Sequence, residues 1–541
     1  MDFPGLIGPS YTGFSLKSEC QRTMNLYLER VESGAGRGQL ALIGQHGLQL
    51  FTTATSFTKF ICRGLFELND HLFDIQDDFI YDIDSSGAII ATYVGLSNDG
   101  KLCSMAATPN SLFVVSNSIL YRIFGAALSA PVTPTPVSAV AVLKGQVFVL
   151  ADDTSRQIYF SNDDGATWAA LDFQTAEAGP NALINMIEDH NELWVFGNRL
   201  TQVFVLGDDP DAPLVEVQAG IIEMGIAAKN AVAKLDNSLF WMGKNKDGDH
   251  MVYRANGYTP VRVSNHAVEN AFRTYPDHEN AIMQAYQLNG HSCLRLTFPS
   301  ANGGSGATWE YDASMNNWTE VAHWNTATGL FERHRGNCYA SAFGKILVGD
   351  YANGALYEMS PDFHSDYGYP LRWERRSPHV TKDNKRIQYK RFEVVAQTGV
   401  GGTTAQWLND YSLDAATFTT NLNAQVAAGN VTIQQALVMQ LMYDRDTFSP
   451  SVVLPDDSIM TPLGFYEWGR NPQIGMRYSN DGANTWTNYT YRNLGRAGEY
   501  SRRLYWNALG IGRDRVWELS GDAPVKTAIV QGTFEAEVCN Y

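Results

Sequence analysis

Three groups of residues in this 541-residue chain carry side chains that could do chemistry. The first is Ser161-Asn162-Asp163-Asp164-Gly165-Ala166-Thr167-Trp168, an S-x-D-x-G-x-T-W pattern. What it offers is local: Asp163 can accept N–H groups across a turn that Ser161 opens, Gly165 supplies a positive φ, and Trp168 plugs between strands. A structural turn is therefore expected, not a ligand site. Ser479 to Trp486 echo the pattern with the glycine displaced by one. The second group is basic. Between Leu371 and Arg391 the residues Arg372, Arg375, Arg376, Lys382, Lys385, Arg386, Lys390 and Arg391 face only Glu374 and Asp383, and Arg496, Arg502, Arg503, Arg513 and Arg515 follow downstream. Such runs predict an electrostatic contact surface. The third is Arg333-His334-Arg335, read as a solvated or seam-facing turn. Eleven histidines without HExxH, six cysteines without CxxC, and the lack of a Walker loop, a GxGxxG after a strand or a nucleophile elbow predict no catalytic residue, metal or cofactor.

The elements that must hold these residues read as short antiparallel strands. From Ala139 to Phe173, Val140, Val142, Val147, Val149, Ile158, Phe160, Trp168 and Leu171 give the apolar pattern, broken at Lys144-Gly145, Asp152-Asp153 and Asp163-Asp164-Gly165. One four-stranded sheet cannot hide both faces, so copies are required. A turn before an apolar strand recurs at Asn69-Asp70, Pro109-Asn110, Lys144-Gly145, His190-Asn191, Asp236-Asn237, Asn289-Gly290 and Gly344-Lys345. The fold class is therefore all-β: a β-propeller of seven blades, with six as the alternative, over residues 40–368. The last repeat, Cys338 to Met359, supplies three strands, and closure by the segment near residues 40 to 51 is expected. Residues 1–39 read as an N-terminal arm ordered by a neighbour. A Pro-rich connector, Ser129 to Pro136, joins two blades. Strands at 369–402 and 474–541 read as a C-terminal β-sandwich. Its insertion, 403–473, is partly helical, with a helix over Asp414 to Ala428 and a capping box at Thr432-Ile433-Gln434-Gln435. That hairpin packs either on its own sandwich or on a partner.

Composition excludes several classes. The net charge of −17 argues against a surface built mainly to grip nucleic acid. Scattered cysteines fit free thiols in a reducing cytoplasm, and no apolar run reaches membrane-spanning length. The turn pattern is known from sialidases, so a glycan-binding or glycan-cleaving propeller is the competing reading. Such an enzyme needs an arginine cluster, a Tyr nucleophile with an acidic partner, and an acid/base carboxylate. One good turn motif instead of several makes it the weaker reading.

Towards the C-terminus, Asn493 to Val516 contain Leu494-Gly495-x-x-Gly498-x-Tyr500 followed by Arg503-x-x-Trp506-x-x-Leu509-Gly510-x-x-Arg513-Asp514-Arg515-Val516. With Phe3 to Tyr11, Gln21 to Glu29 and Gly44 to Phe51, this order resembles the packaged-DNA stabilisation, or tail nozzle (tail hub), proteins of short-tailed bacteriophages. The stretch 403–473 departs from that family's pattern. The resemblance implies a non-enzymatic virion protein, assembled in the host cytoplasm into a hexameric ring below the portal and its head-tail adaptor. The ring would continue the DNA channel, retain the packaged genome, pass double-stranded DNA without sequence preference, and carry a tail needle, tailspike or fibre. Arg372, Arg375, Arg376, Arg386, Arg391, Arg496, Arg502, Arg503, Arg513 and Arg515 would then face acidic neighbours at subunit seams or form a DNA-contacting collar, with seams the favoured reading.

Overall fold

The computed structural model describes residues 3, 5–33, 38–53, 61–179, 181–244, 250–367, 369–401, 472–539 and two short strands, Val452–Val453 and Ile459–Met460. Six of the recurrent turns work for one reason. At Asn69/Asp70, Lys144/Gly145, His190/Asn191, Asp236/Asn237, Asn289/Gly290 and Phe343/Gly344 both residues have positive φ, the backbone that lets a two-residue hairpin match the strands' twist. Each joins the innermost strand of a blade to a largely buried second strand, such as Gln146–Ala151 or Ser238–Lys244. Seven four-stranded blades result. The first runs from Cys62–Leu68 to Ile89–Val94, and the next four begin at Ser104–Ala107, Val137–Leu143, Leu183–Asp189 and Val232–Leu235. The sixth runs from Ile282–Leu288 to Asn317–Glu320, and the seventh begins at Gly336–Ala342.

The seventh blade is closed by the N-terminal strand Gly47–Thr53, which pairs antiparallel with Ala355–Ser360. Only the second half of the expected closing segment does this. Leu40–Gly44 belongs to the other body, pairing with Leu26–Arg30 and Ala528–Val538. Residues 1–39, expected as an arm ordered by a neighbour, instead contribute strands to their own chain. Cys20–Met24 lies between Asn317–Glu320 of blade six and Trp373–Arg376, so one continuous sheet runs from propeller into sandwich. The reason is burial: Phe3, Leu6, Leu26, Leu28 and Leu42 complete a core with Trp373, Phe392, Trp506 and Trp517. These residues can leave water only inside the sandwich. Its two sheets otherwise comprise Asp514–Gly521, Gln473–Ser479 and Thr490–Asn493 on one side, and Ala528–Val538, Ile387–Ala396 and Leu504–Asn507 on the other. The expected helices of 403–473 lie outside the described residues.

Candidate subunit and channel surfaces

The strand Trp373–Arg376 sorts the first basic run, because neighbours in a strand point to opposite faces. Trp373 and Arg375 face the sandwich interior, where Arg375 is fully buried. Its guanidinium donates to the carbonyls of Leu6 (2.6 Å), Gly5 (2.6 Å) and Pro9 (3.1 Å), to Gln21 Oε1 (2.7 Å) and to Thr23 Oγ1 (2.9 Å). It pins down the N-terminal segment. Glu374 and Arg376 take the other face. In register across the strands stand Arg22, Arg376, Glu518 and Arg477, and Glu518 receives both Arg376 (2.9 Å) and Arg477 (2.5 Å). Arg22 bridges Glu320 of blade six (3.0 Å) and Glu374 (3.4 Å), which Arg372 also reaches (3.1 Å). Aromatic rings cover the row, with Trp324 4.2 Å from Arg372 and Trp486 4.9 Å from both Arg376 and Arg477.

Burial opposes ionisation of both buried carboxyls in this row. It raises Glu374, helped by the neighbouring Glu518, whereas Arg376 and Arg477 outweigh it at Glu518 and hold that group low. Arg515 is also buried. It donates to Asn480 Oδ1 and to the carbonyl of Leu509, both at 2.8 Å, and its plane lies between Tyr478 (4.0 Å) and Tyr389 (4.2 Å). Arg375 and Arg515, expected at a seam or channel, are therefore internal, and Arg372 and Arg376 are committed to this row. The acidic partners were missed because Glu320 and Glu518 lie far from the basic run in sequence. Alternation within Trp373–Arg376 was the available signal.

The remaining candidates reach the surface. Arg386, Arg496, Arg502, Arg503 and Arg513 are exposed and Arg391 is half-buried. Arg502 pairs with Glu499 (3.0 Å) and Arg503 with Glu393 (2.8 Å). Arg391 and Arg503, on or beside neighbouring strands, both lie over Tyr505, at 5.2 and 5.8 Å from its ring centre. This is a basic and aromatic patch on the outer side of the sandwich.

In the turn at Ser161, Asp163 is satisfied locally, while Asp164 reaches across to Ser111 Oγ (2.6 Å) and Arg122 (2.7 Å) of the second blade. Asp163 Oδ1 accepts from Ser161 Oγ (2.7 Å) and from the N–H groups of Ala166 (3.1 Å) and Thr167 (3.0 Å), and Oδ2 from Thr167 Oγ1 (2.6 Å). Slight burial works against ionisation, but these bonds win and hold the carboxyl at about 2. Trp168 Nε1 closes onto the Gly165 carbonyl (3.2 Å). The echo folds the same way, with Asp481 taking the part of Asp163 and Ala483, at φ 68°, standing where Gly165 has φ 72°. The shifted glycine did not prevent the turn.

At the propeller axis a cavity of about 1750 Å³ opens among the loops that lead into the inner strands. Arg63 lines it, buried, donating to Asp99 (2.7 Å) and Ser116 Oγ (2.7 Å).

With the geometry described, the chain can be set beside known proteins. A family model described as "Bacteriophage P22 Gp10, beta-propeller", of the phage stabilisation type, matches residues 21–364, more than half of the chain. The chain belongs to this family. It is a structural phage protein and a virion component. No curated protein sequence matches it. Among solved structures it is similar to the extracellular domain of the hybrid two-component system BT4673 from B. thetaiotaomicron, at 8% identity and TM-score 0.39, covering 58% of this chain and 40% of that one. The computationally designed Ika8 protein is similar at 10% identity and TM-score 0.35, covering 58% of this chain and 99% of that one. The N-terminal domain of Nup159 is similar at 8% identity and TM-score 0.35, covering 63% and 98%.

A tyrosine-carboxylate-arginine grouping of the kind a sialidase-like hydrolase needs does occur in this phage protein. Tyr286 donates to Glu310 Oε2 (2.7 Å), which also accepts from Arg295 Nε (2.6 Å), while Glu310 Oε1 receives Gln45 (2.5 Å). All three are buried between blades six and seven, and none lines the axial cavity. Burial pushes the Tyr286 phenol well up, away from the phenolate a nucleophile requires. Arg295 also donates to the Tyr339 hydroxyl of blade seven (2.8 Å), so the group ties two blades together.

Proposed function

We propose that this protein forms the ring-shaped tail nozzle of a short phage tail, a hexamer seated on the head-tail adaptor of the portal. The ring continues the DNA channel, retains the packaged genome and conducts it at ejection, and it carries a tail needle, tailspike or fibre. The observation that carries this reading is the family match over residues 21–364. Charge supports it. Six copies at −17 bring about −100 elementary charges to the ring, so DNA phosphates meet repulsion within a Debye length of roughly 8 Å rather than an adhesive wall. The burial of Arg375 and Arg515 and the internal pairing of Arg372 and Arg376 remove four positive groups from such a lumen. For the exposed arginines, the patch at Arg391, Arg503 and Tyr505 suits a seam, since it places two guanidinium groups around an aromatic ring on the outer sheet. Electron micrographs of isolated virion tails test the reading. A six-fold ring of this polypeptide around an open axis is expected, and a tail lacking the chain, or filled by it at the axis, overturns the proposal.

A further inference from the structure

The tripeptide Arg333-His334-Arg335, expected as a solvated or seam-facing turn, is drawn into the protein. Arg335 meets Asp350 at 2.6 Å, and fully buried His334 accepts the N–H of Gly336 at 3.0 Å and stands beside Arg295. Arg333 differs from both. It is 7% exposed, its Nη2 donates to Asn337 Oδ1 (2.8 Å), its guanidinium carbon lies 4.2 Å from the Tyr351 ring centre, and its buried Nε has no hydrogen-bond partner among the described residues. Among the described residues no carboxylate forms an ion pair with it. Burial lowers its pKa, in keeping with a cation whose charge is poorly matched by its surroundings.

Arg333, Asn337 and Tyr351 all line the axial cavity. Further round the wall stand exposed Lys101 and half-buried Lys229, whose own charge burial disfavours. Of the four carboxylates on the wall, Asp99 is held by Arg63 (2.7 Å) and Asp152 accepts from Ser118 (2.5 Å), while Glu223 and Glu279 are exposed to solvent. Six basic side chains line the cavity against four acidic ones, in a chain where acids outnumber bases 57 to 40. The local sign is reversed, and concave walls concentrate such a field.

We propose that this end of the propeller axis binds an oxyanion, a phosphate or carboxylate group of a ligand, against Arg333, with Lys101 and Lys229 adding attraction. A guanidinium on a cavity wall that no carboxylate among the described residues answers suits a planar or tetrahedral oxyanion better than it suits water. Calorimetric titration of the full chain with inorganic pyrophosphate and, separately, citrate at constant ionic strength tests this. Saturable binding of at least one probe, one per chain, is expected, and which probe binds distinguishes a phosphate from a carboxylate source. Arg333→Gln should weaken binding at least tenfold with the circular dichroism spectrum unchanged, and Arg503→Gln, outside the cavity, should not alter it. If Arg333→Gln fails to fold, the pair Lys101→Gln and Lys229→Gln should show a loss of about tenfold. Absence of saturable binding to both probes, or unchanged affinity in the cavity variants, overturns the proposal. Because the cavity belongs to a single chain, the outcome does not depend on ring formation.

Discussion

Two residues that look interchangeable in the paired turns sit in different surroundings. A Cβ at Gly165 would stand 2.4 Å from Phe113 Cε1, whereas Ala483 places its methyl against Cys20 and Val516 at the same positive φ. Gly165→Ala is therefore expected to destabilise the protein by roughly 1–3 kcal/mol, from the clash together with left-handed strain. Chemical denaturation would measure it, and an unchanged midpoint would refute the packing argument. Asp163 acts in the same turn through pH. Its folded pKa lies below its unfolded value, so the stability it contributes is complete above about pH 4 and fades as pH falls through 2.

His46 titrates in a higher window. It is buried, stacked on Tyr27 at 5.2 Å, with neither ring nitrogen partnered among the described residues, and burial lowers its pKa to about 4 despite nearby Glu310, while Arg295 and His291 push the same way as burial. A base depressed in the folded state destabilises the fold once the unfolded form takes up protons. Stability should therefore be full above pH 6.5 and decline by up to about 3 kcal/mol towards pH 4. His46→Leu should flatten that slope in melts recorded between pH 7 and 4. A slope equal to wild type would show that other groups set it.

At the scale of elements, the propeller stays closed because one strand arrives from the far end of the chain. Leu48, 1% exposed, joins Tyr286, Val348 and Met359 in the cluster behind that strand. Leu48→Ala should cost roughly 2–5 kcal/mol, with amide exchange accelerated first in Gly336–Ala342 and Ala355–Ser360. Uniform acceleration across all blades would instead mean that the ring opens only globally. The charged row across the sandwich makes a second demand. Glu518 is fully buried between Arg376 and Arg477 and also accepts from Tyr489 at 2.7 Å. Glu518→Gln leaves two guanidinium groups without their counter-charge and should cost about 3–5 kcal/mol in denaturant unfolding. A near-neutral result would mean the arginines turn out to water.

At the scale of the whole molecule, the exposed arginines are the ones available to another copy. Arg502 and Arg503 already pair with Glu499 and Glu393, and exposed pairs of this kind contribute about 0–1 kcal/mol. Reversing both charges, Arg502→Glu with Arg503→Glu, should therefore leave the monomer folded while abolishing rings, as read by sedimentation velocity. Rings of wild-type size would reject the seam.

The blades were legible in the sequence because their signals are local. Two-residue turns between apolar runs recur, and positive φ at Lys144-Gly145 or His190-Asn191 needs only the residues present there. Phe343, an αL residue that turn chemistry would not choose, shifted the last turn by one. The sequence by itself thus determined the strands, the repeat and the turn that satisfies Asp163 locally. Tertiary structure decided the fate of charge and of the chain's beginning. Arg375 looks like any surface arginine until the carbonyls of residues 5 to 9 fold over it, and Arg333 looks solvated until two blades enclose it. Burial and pairing are properties of what comes together from distant stretches, and a linear run of residues does not carry them.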